Sequence, residues 1–253
     1  MAAASGRTLV FGGRGLVGTA VCRELARRGV SPVLSLGRSS GPGAGGRLAE
    51  GSGVEVRDGV DALRPETFAP LLPGAHTIVI SIGEPPWILD KERAMRSNGL
   101  TNVSVLRAAA EHKVPRVVLI NATMPRWKVI SGYREGKETA EREALQYSET
   151  CGESGVLIVK PSAISGTRYS GSMPVPLWLM LEPMRLVFKA LSGPCMALER
   201  MMPSLLEGVL RPPVRVEEIA RAVADAIQDP KFKGVRVLGT DDLVGYKSRD
   251  SPQ

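Results

Sequence analysis

The segment Thr8–Gly18, TLVFGGRGLVG, runs straight into TAVCRELARRG, and this junction constrains the fold more than anything else in the chain. Thr8–Phe11 is apolar and β-prone, which predicts a buried strand. Gly12, Gly15 and Gly18 then form GxxGxxG, and Gly13, Gly15 and Gly18 also fit GxGxxG. Small residues suit a strand that turns tightly into a helix, lets backbone approach a pyrophosphate and packs that helix closely on the sheet. The helix start offers unpaired N–H groups and the positive end of the helix dipole to an anion. The junction therefore predicts dinucleotide contacts from Gly12, Gly13, Arg14, Gly15, Leu16, Val17 and Gly18.

The rest of the chain repeats the alternation. Short apolar runs at Thr8–Phe11, Val33–Leu36, Val54–Val56, Thr77–Ile82, Val117–Ile120 and Val156–Val159 read as strands. Between them, Leu16–Arg28, Pro65–Leu72, Lys91–His112 and Tyr133–Tyr147 read as helices. Such a pattern predicts an α/β fold, a Rossmann-like doubly wound parallel sheet covered on both faces. Val216–Gln228 adds a helix with an apolar face, and Val235–Leu238 a last strand. Residues 162–213 differ, being rich in Met, Leu and Pro, and we read them as a small substrate lobe. The rest, about 7–161 plus 214–240, forms the core of a single 1–253 unit. Within the lobe, Leu177–Leu191 is apolar except for Glu182, Arg185 and Lys189, spaced three and four apart as one polar stripe. That suits a lid helix packed on the sheet, the alternative being a membrane or partner surface.

Charge and composition limit the partners. Lys and Arg number 33 against 26 acids, a net charge of +7, which by itself suggests nucleic acid or an anionic membrane. Much of the excess lies in residues 1–50, where Arg7, Arg14, Arg23, Arg27, Arg28, Arg38 and Arg47 face only Glu24 and Glu50, an arrangement suited to a small phosphorylated ligand. Arg23, Arg27 and Arg28 read as a solvated helix face. Aromatic residues make up 4%, too few for base-stacking platforms, so no nucleic-acid partner is expected. Two histidines and three cysteines without CxxC spacing predict neither a metal site nor a disulfide framework. No transmembrane segment is expected, because the longest apolar stretch, Met173–Leu191, is interrupted by prolines and charges. MAAASGR is too short for a signal peptide, so secretion is not expected if this is the intact product.

Two clusters carry chemistry. About twenty residues beyond the glycine fingerprint, where an NAD site usually places an acid for the ribose 2′-hydroxyl, stands Arg38 followed by Ser39 and Ser40. Arg38 and Arg14 suit a 2′-phosphate, with Ser39 and Ser40 donating hydrogen bonds, so NADP(H) is favoured and NAD(H) remains possible. Asp58, after the third strand, is a candidate adenine contact. The second cluster is Tyr133-Arg-Glu-Gly-Lys137. Its i, i+4 spacing puts phenol and ammonium on one helix face, where Lys137 would lower the Tyr133 pKa and Tyr133 would exchange a proton with a carbonyl oxygen. Trp87, Trp127 and Trp178 would overhang the nicotinamide end as packing residues.

The glycine pattern, Thr77–Gly83, Asn98 and Asn102, YxxxK, and Pro161–Gly166 together resemble the extended and atypical short-chain dehydrogenase/reductases. VFGGRGLVG, GYREGKETAE and PPVRVEEIARAVADAI look like the branch that contains the 39 kDa accessory subunit of complex I and a yeast accessory oxidoreductase of ubiquinone biosynthesis. The resemblance implies a Rossmann core holding NADP(H), with further cofactor contacts at Ser81, Ile82, Gly83, Lys137 and Pro161. It implies residence in mitochondria, on the matrix side of the inner membrane, with cytoplasm or plastid as alternatives. Active members carry Ser or Thr near the end of the fifth strand. Here Asn121 occupies the closest position, with Thr123 two residues on, and either would orient a substrate carbonyl. Lys160 replaces the usual Arg before Pro161. Two functions follow: an oxidoreductase acting on an apolar carbonyl or quinone-like substrate, or a silent NADP(H)-binding accessory subunit of a membrane protein complex.

Overall fold

The computed structural model describes residues 6–38, 48, 51–170 and 173–248. Its centre is a parallel sheet of β1 (Arg7–Phe11), β2 (Val33–Leu36), β3 (Val54–Arg57), β4 (Ala75–Ile80), β5 (Arg116–Ile120), β6 (Gly155–Lys160) and β11 (Gly234–Gly239). The strands lie in the order β11-β6-β5-β4-β1-β2-β3, so the direction of winding reverses at β1, which pairs with both β2 and β4. Successive side chains of a strand point to opposite faces, so strands covered on both sides must be apolar at nearly every position. Leu9 and Phe11 face one layer with Ile78, Ile80, Leu119 and Ile158, where helices α3 (Thr101–Glu111) and α4 (Ser131–Thr150) cover the sheet. Val10, Val79, Val118 and Leu157 face the other, beneath α1 (Leu16–Arg27) and α8 (Val216–Gln228). Edge strand β3, with Glu55 and Arg57 exposed between half-buried Val54 and Val56, alternates as a one-sided strand should.

Four expectations change. Pro65–Leu72 forms two 3-10 turns, Pro65–Thr67 and Ala69–Leu71, in place of a helix. Pro70 has no N–H to donate, and eight residues containing two prolines cannot sustain an α-helix. Phe68 between the turns is fully buried and meets Phe11 edge-on at 5.1 Å. The helix expected over Lys91–His112 is divided into α2 (Lys91–Met95), a π-helical turn at Arg96–Leu100, and α3. The fourth strand ends at Ile80, leaving Ser81 and Ile82 in the loop beyond it. Arg28 is not a solvated residue: its guanidinium bonds Glu24 at 2.7 Å and Asp225 at 2.5 Å, tying α1 to α8.

Residues beyond β6 form short elements at the carboxyl edge of the sheet. β7 (Ile164–Ser165) pairs with β10 (Val214–Arg215), and β8 (Thr167–Ser170) makes an antiparallel ribbon with β9 (Met173–Pro176). Helices α5 (Trp178–Ala190), α6 (Ser192–Met201) and α7 (Pro203–Leu206) follow. In α5 Arg185 and Glu182 of the polar stripe turn inward, while Lys189 is exposed. Arg185 is buried and grips the Glu218 carboxylate with two bonds of 2.7 and 2.6 Å, while also donating to the Pro213 carbonyl at 2.9 Å. Glu182 accepts from Ser165 at 2.9 Å and from Arg215 at 2.6 Å. Burial alone would raise the Glu218 pKa, but bonds from Arg185 and from the Arg215 and Gly245 N–H groups hold it below the usual carboxylate value.

Because removing one partner strands a buried charge, Arg185→Ala should cost about 3–5 kcal/mol. The loss is measured as a lowered urea midpoint with an unchanged denaturant slope.

Candidate functional site: a dinucleotide cleft at the strand-order reversal

The glycine junction is built from contacts that exclude side chains. Gly12 leaves β1 with φ +76°, and a Cβ there would lie 2.4 Å from the Ser81 carbonyl oxygen. The Gly15 N–H closes the turn on the Gly12 carbonyl at 2.9 Å. Gly18 sits in the first helical turn, and its Cβ would fall 2.2 Å from that same oxygen. A side chain at Gly18 would push α1 off the glycine turn, and one at Gly12 would push the loop after β4 away. No side chain caps α1 and its first turn carries no acid, so its leading N–H groups suit a pyrophosphate.

A cleft of about 460 Å³ opens at the carboxyl ends of the strands, beside the β1 junction. Gly12 and Gly15 line it with Arg38 from the end of β2 and with Ser81, Ile82 and Gly83 from the loop after β4. Sheets of this type take their ligands where the winding reverses. Gly13, Leu16, Val17 and Gly18 form the packed support behind this wall, Val17 and Gly18 being buried against the sheet. Arg14 and Asp58, expected to contact phosphate and adenine, form an ion pair with each other instead, because the third strand ends beside the glycine turn. The cleft's own carboxylate from that loop is Asp61, which also accepts from the Leu63 N–H at 3.0 Å. Asp61 escaped notice although it stands three residues after Asp58 in RDGVD. Arg93, Arg96 and Ser97 were missed as well, and their spacing in KERAMRS brings them to one helical side along the cleft. Arg93 is held by Glu84, with its shortest bond at 2.6 Å, and this contact keeps the Glu84 carboxyl below its ordinary pKa. Ser39 and Ser40 lie outside the described residues.

Asn98 and Lys137 meet at the other side of Gly83. Gly99, in the π-helical turn, and Gly136, in α4, pack so closely that a Cβ on Gly99 would lie 2.9 Å from the Gly136 Cα. This contact brings Asn98 and Lys137 to the same spot: a Cβ on Gly83 would fall 2.5 Å from Asn98 Oδ1 and 3.4 Å from Lys137 Nζ. Asn98 donates from Nδ2 to the Ala94 carbonyl at 3.0 Å, leaving Oδ1 buried without a hydrogen-bond partner. Lys137 Nζ donates to the Ile120 carbonyl at 3.0 Å. Uncapped helical amides on the cleft, with an orphaned acceptor and a buried ammonium behind its Gly83 wall, fit a nicotinamide dinucleotide, whose pyrophosphate and ribose hydroxyls complement them.

Two expected roles take a different form. Tyr133 was to be made more acidic by Lys137, yet burial pushes its pKa up to about 12, opposed by the charge of Arg168. Lys137 Nζ lies 6.0 Å from the Tyr133 ring centre, and burial lowers its own pKa to about 8. Asn121 was to orient a substrate carbonyl. Its Nδ2 instead bonds Glu141 at 2.8 Å and the Lys137 carbonyl at 3.3 Å, because the end of β5 abuts α4. The Thr123 hydroxyl donates to the Lys160 carbonyl at 3.0 Å. The buried Pro161 begins the loop after β6, where its carbonyl accepts from the Thr123 N–H at 3.0 Å. Trp87 is exposed and lies beneath the Arg168 guanidinium, and Trp127 bonds the Leu205 carbonyl at 2.9 Å.

A Rossmann-like sheet with this cleft defines a nicotinamide-dinucleotide-binding protein of the short-chain dehydrogenase/reductase type. The chain belongs to the NAD dependent epimerase/dehydratase family, whose profile matches residues 8–177. An uncharacterised chloroplast protein of Arabidopsis thaliana is 32% identical over 238 residues, covering 91% of this chain and 74% of its own. Among solved structures, UDP-glucuronic acid 4-epimerase from Bacillus cereus in complex with NAD superposes with a TM-score of 0.63 at 15% identity, covering 92% of this chain and 77% of that one. The Bordetella bronchiseptica enzyme WbmF with NAD+ and UDP gives 0.64 at 17% identity, covering 94% and 72%.

Gly12→Ala should abolish measurable dinucleotide binding in calorimetry and destabilise the fold by about 2 kcal/mol or more, since it combines a left-handed backbone with a backbone clash. Retained nucleotide affinity in a folded Gly12→Ala chain would show that the glycine turn does not form the binding wall.

Proposed function

We propose that this protein is an NADP(H)-preferring oxidoreductase that reduces an apolar carbonyl or quinone-like substrate. The observation that carries the cofactor preference is Arg38. It lines the cleft at the end of β2, where NAD-selective sheets place an acid, and Arg96 lines the same cleft. The solved relatives described above carry NAD, so the preference rests on this chain's own residues.

Bound here, the nicotinamide would supply the hydride. Tyr133 would supply the proton. With its pKa pushed up to about 12, the phenol stays protonated at physiological pH and suits donation to a carbonyl oxygen, which is the direction of reduction. Lys137, beside Gly83, would hold the ribose as an ammonium; that form is lost as pH rises through about 8. The exposed Leu and Met side chains of the lobe support an apolar substrate.

A second reading, a catalytically silent NADP(H)-binding accessory subunit of a mitochondrial membrane complex, has one observation in its favour. The donors of Asn121 and Thr123 are bonded to protein groups, so neither is open to a substrate carbonyl. Organellar residence, in mitochondrion or plastid, belongs to the same proposal, and a purely cytosolic distribution of a tagged full-length chain would remove it.

Arg38→Asp should weaken NADPH by about tenfold or more while changing NADH little, because it removes a charge-assisted phosphate contact. Equal losses for both nucleotides would remove the 2′-phosphate assignment. In turnover with short-chain quinones, Tyr133→Phe should lower kcat by about 100-fold or more with nucleotide affinity retained, and the wild-type rate should fall above about pH 8 as Lys137 loses its proton. Tight NADPH binding with no turnover, unaffected by Tyr133→Phe, would favour the accessory-subunit reading.

A further inference from the structure

Helix α5 turns Arg185 and Glu182 toward the protein and leaves most of its apolar residues in water. Leu181 and Arg185 face the body of the protein, and Glu182 is held by Ser165 and Arg215. Met180, Met184, Val187 and Leu191 recur at i, i+4, i+7 and i+11, while Leu179, Pro183, Leu186 and Ala190 fill the adjoining arc. Every residue on this arc is exposed, with Leu179 at 60%, Met180 at 62%, Leu186 at 68% and Val187 at 52%. The surface continues past the helix: Met173 and Val175 on β9, and Leu198, Met201, Met202 and Leu205 on α6 and α7, are exposed as well.

Between residues 173 and 205 the exposed charged side chains are Lys189 and Arg200. The two acids of that stretch are neutralised, Glu182 by Arg215 at 2.6 Å and Glu199 by Arg211 at 2.8 Å. Lys189, which has no carboxylate partner among the described residues, lines a small cleft of about 160 Å³ together with Ser192, Met196, Arg211 and the exposed Asp241, whose carboxylate is paired with Arg211. Trp178 stands half-exposed at the start of the helix, a residue type suited to the boundary between headgroups and acyl chains. At 13 residues α5 is about 20 Å long, and no helix among the described residues is long and apolar enough to cross a bilayer.

We propose that this face docks on an anionic phospholipid surface, with α5 lying in the plane of the interface. Leu179, Met180, Met184, Leu186 and Val187 enter the acyl boundary, and Lys189 and Arg200 reach the headgroup phosphates. A surface with flexible apolar side chains and cations at its border, where the neighbouring acid Asp241 is paired with Arg211, matches such a lipid layer in both its apolar and its charged parts. A protein partner would be expected to find hydrogen-bonding groups within the patch, and the exposed arc of α5 carries none on its side chains. The inference does not depend on catalysis or on the choice between NADPH and NADH.

Flotation of the full chain with vesicles tests it. Vesicles of phosphatidylcholine containing about 30% phosphatidylglycerol should carry the protein, and pure phosphatidylcholine should carry much less. The double variant Leu186→Asp, Val187→Asp should lose about tenfold or more in vesicle affinity, because two aliphatic side chains no longer enter the apolar layer. Lys189→Gln and Arg200→Gln should each lose about fivefold on the anionic vesicles and little on the neutral ones. All variants alter exposed positions, so an unchanged melting temperature and NADPH affinity should accompany each loss. Equal flotation on both vesicle types, or unchanged flotation of the Asp variant, overturns the proposal. So does a concentration-dependent dimer that the Asp variant abolishes while vesicles bind neither chain, since a second copy would then cover the face. Failure of NADPH binding with intact flotation would overturn the functional reading above and leave this one standing.

Discussion

The approach of the Gly12 backbone to the Ser81 carbonyl is the constraint on which the rest of the site depends. With any side chain between them, β1 could not turn into α1 within a few residues, and the helix could not begin with its amides open at the carboxyl edge of the sheet. The same closeness lets the loop after β4 run along the cleft, so that Ser81, Ile82 and Gly83 form one wall opposite Arg38. Phosphate recognition and sheet packing are therefore two results of one set of missing side chains.

A second glycine contact does comparable work at the other end of the cleft. Gly99 against Gly136 lets the π-helical turn and α4 approach backbone to backbone, which sets Asn98 and Lys137 around Gly83. Burial then acts in opposite senses on the two proton-carrying groups. It disfavours the phenolate of Tyr133 and the ammonium of Lys137, raising one pKa and lowering the other. Mutual attraction between them, the effect expected from an i, i+4 pair, does not decide either value.

The lobe follows a different logic. Arg185 meets Glu218 in the interior and Arg215 meets Glu182 nearer the surface, while many of the lobe's apolar side chains remain outside. This reverses the usual segregation. A polar stripe on an apolar helix reads equally as a lid with its apolar side down or a surface helix with its apolar side out, and only the partners of Arg185 and Glu182 distinguish the two.

The amino-acid sequence by itself determined the parallel sheet, since buried strands must be apolar on both faces and the glycine junction can hardly serve another strand-to-helix turn. Spacing along a single turn or strand end also pointed to Gly12, Gly15 and Arg38, and the family resemblance to Ser81–Gly83, all of which line the cleft. Helix breaks were less legible: the helix expected over Pro65–Leu72 ran through Pro70, where the chain forms two 3-10 turns, and the π-helical turn packs Gly99 on Gly136, thirty-seven residues further on. Tertiary structure alone decided which charges meet. Arg14 pairs with Asp58, Asn121 turns to Glu141, Arg28 reaches Asp225, and Asp61 enters the cleft in place of Asp58. A side chain's partner is set by what the fold brings within about 3 Å of it, a distance that residue type and local period do not encode.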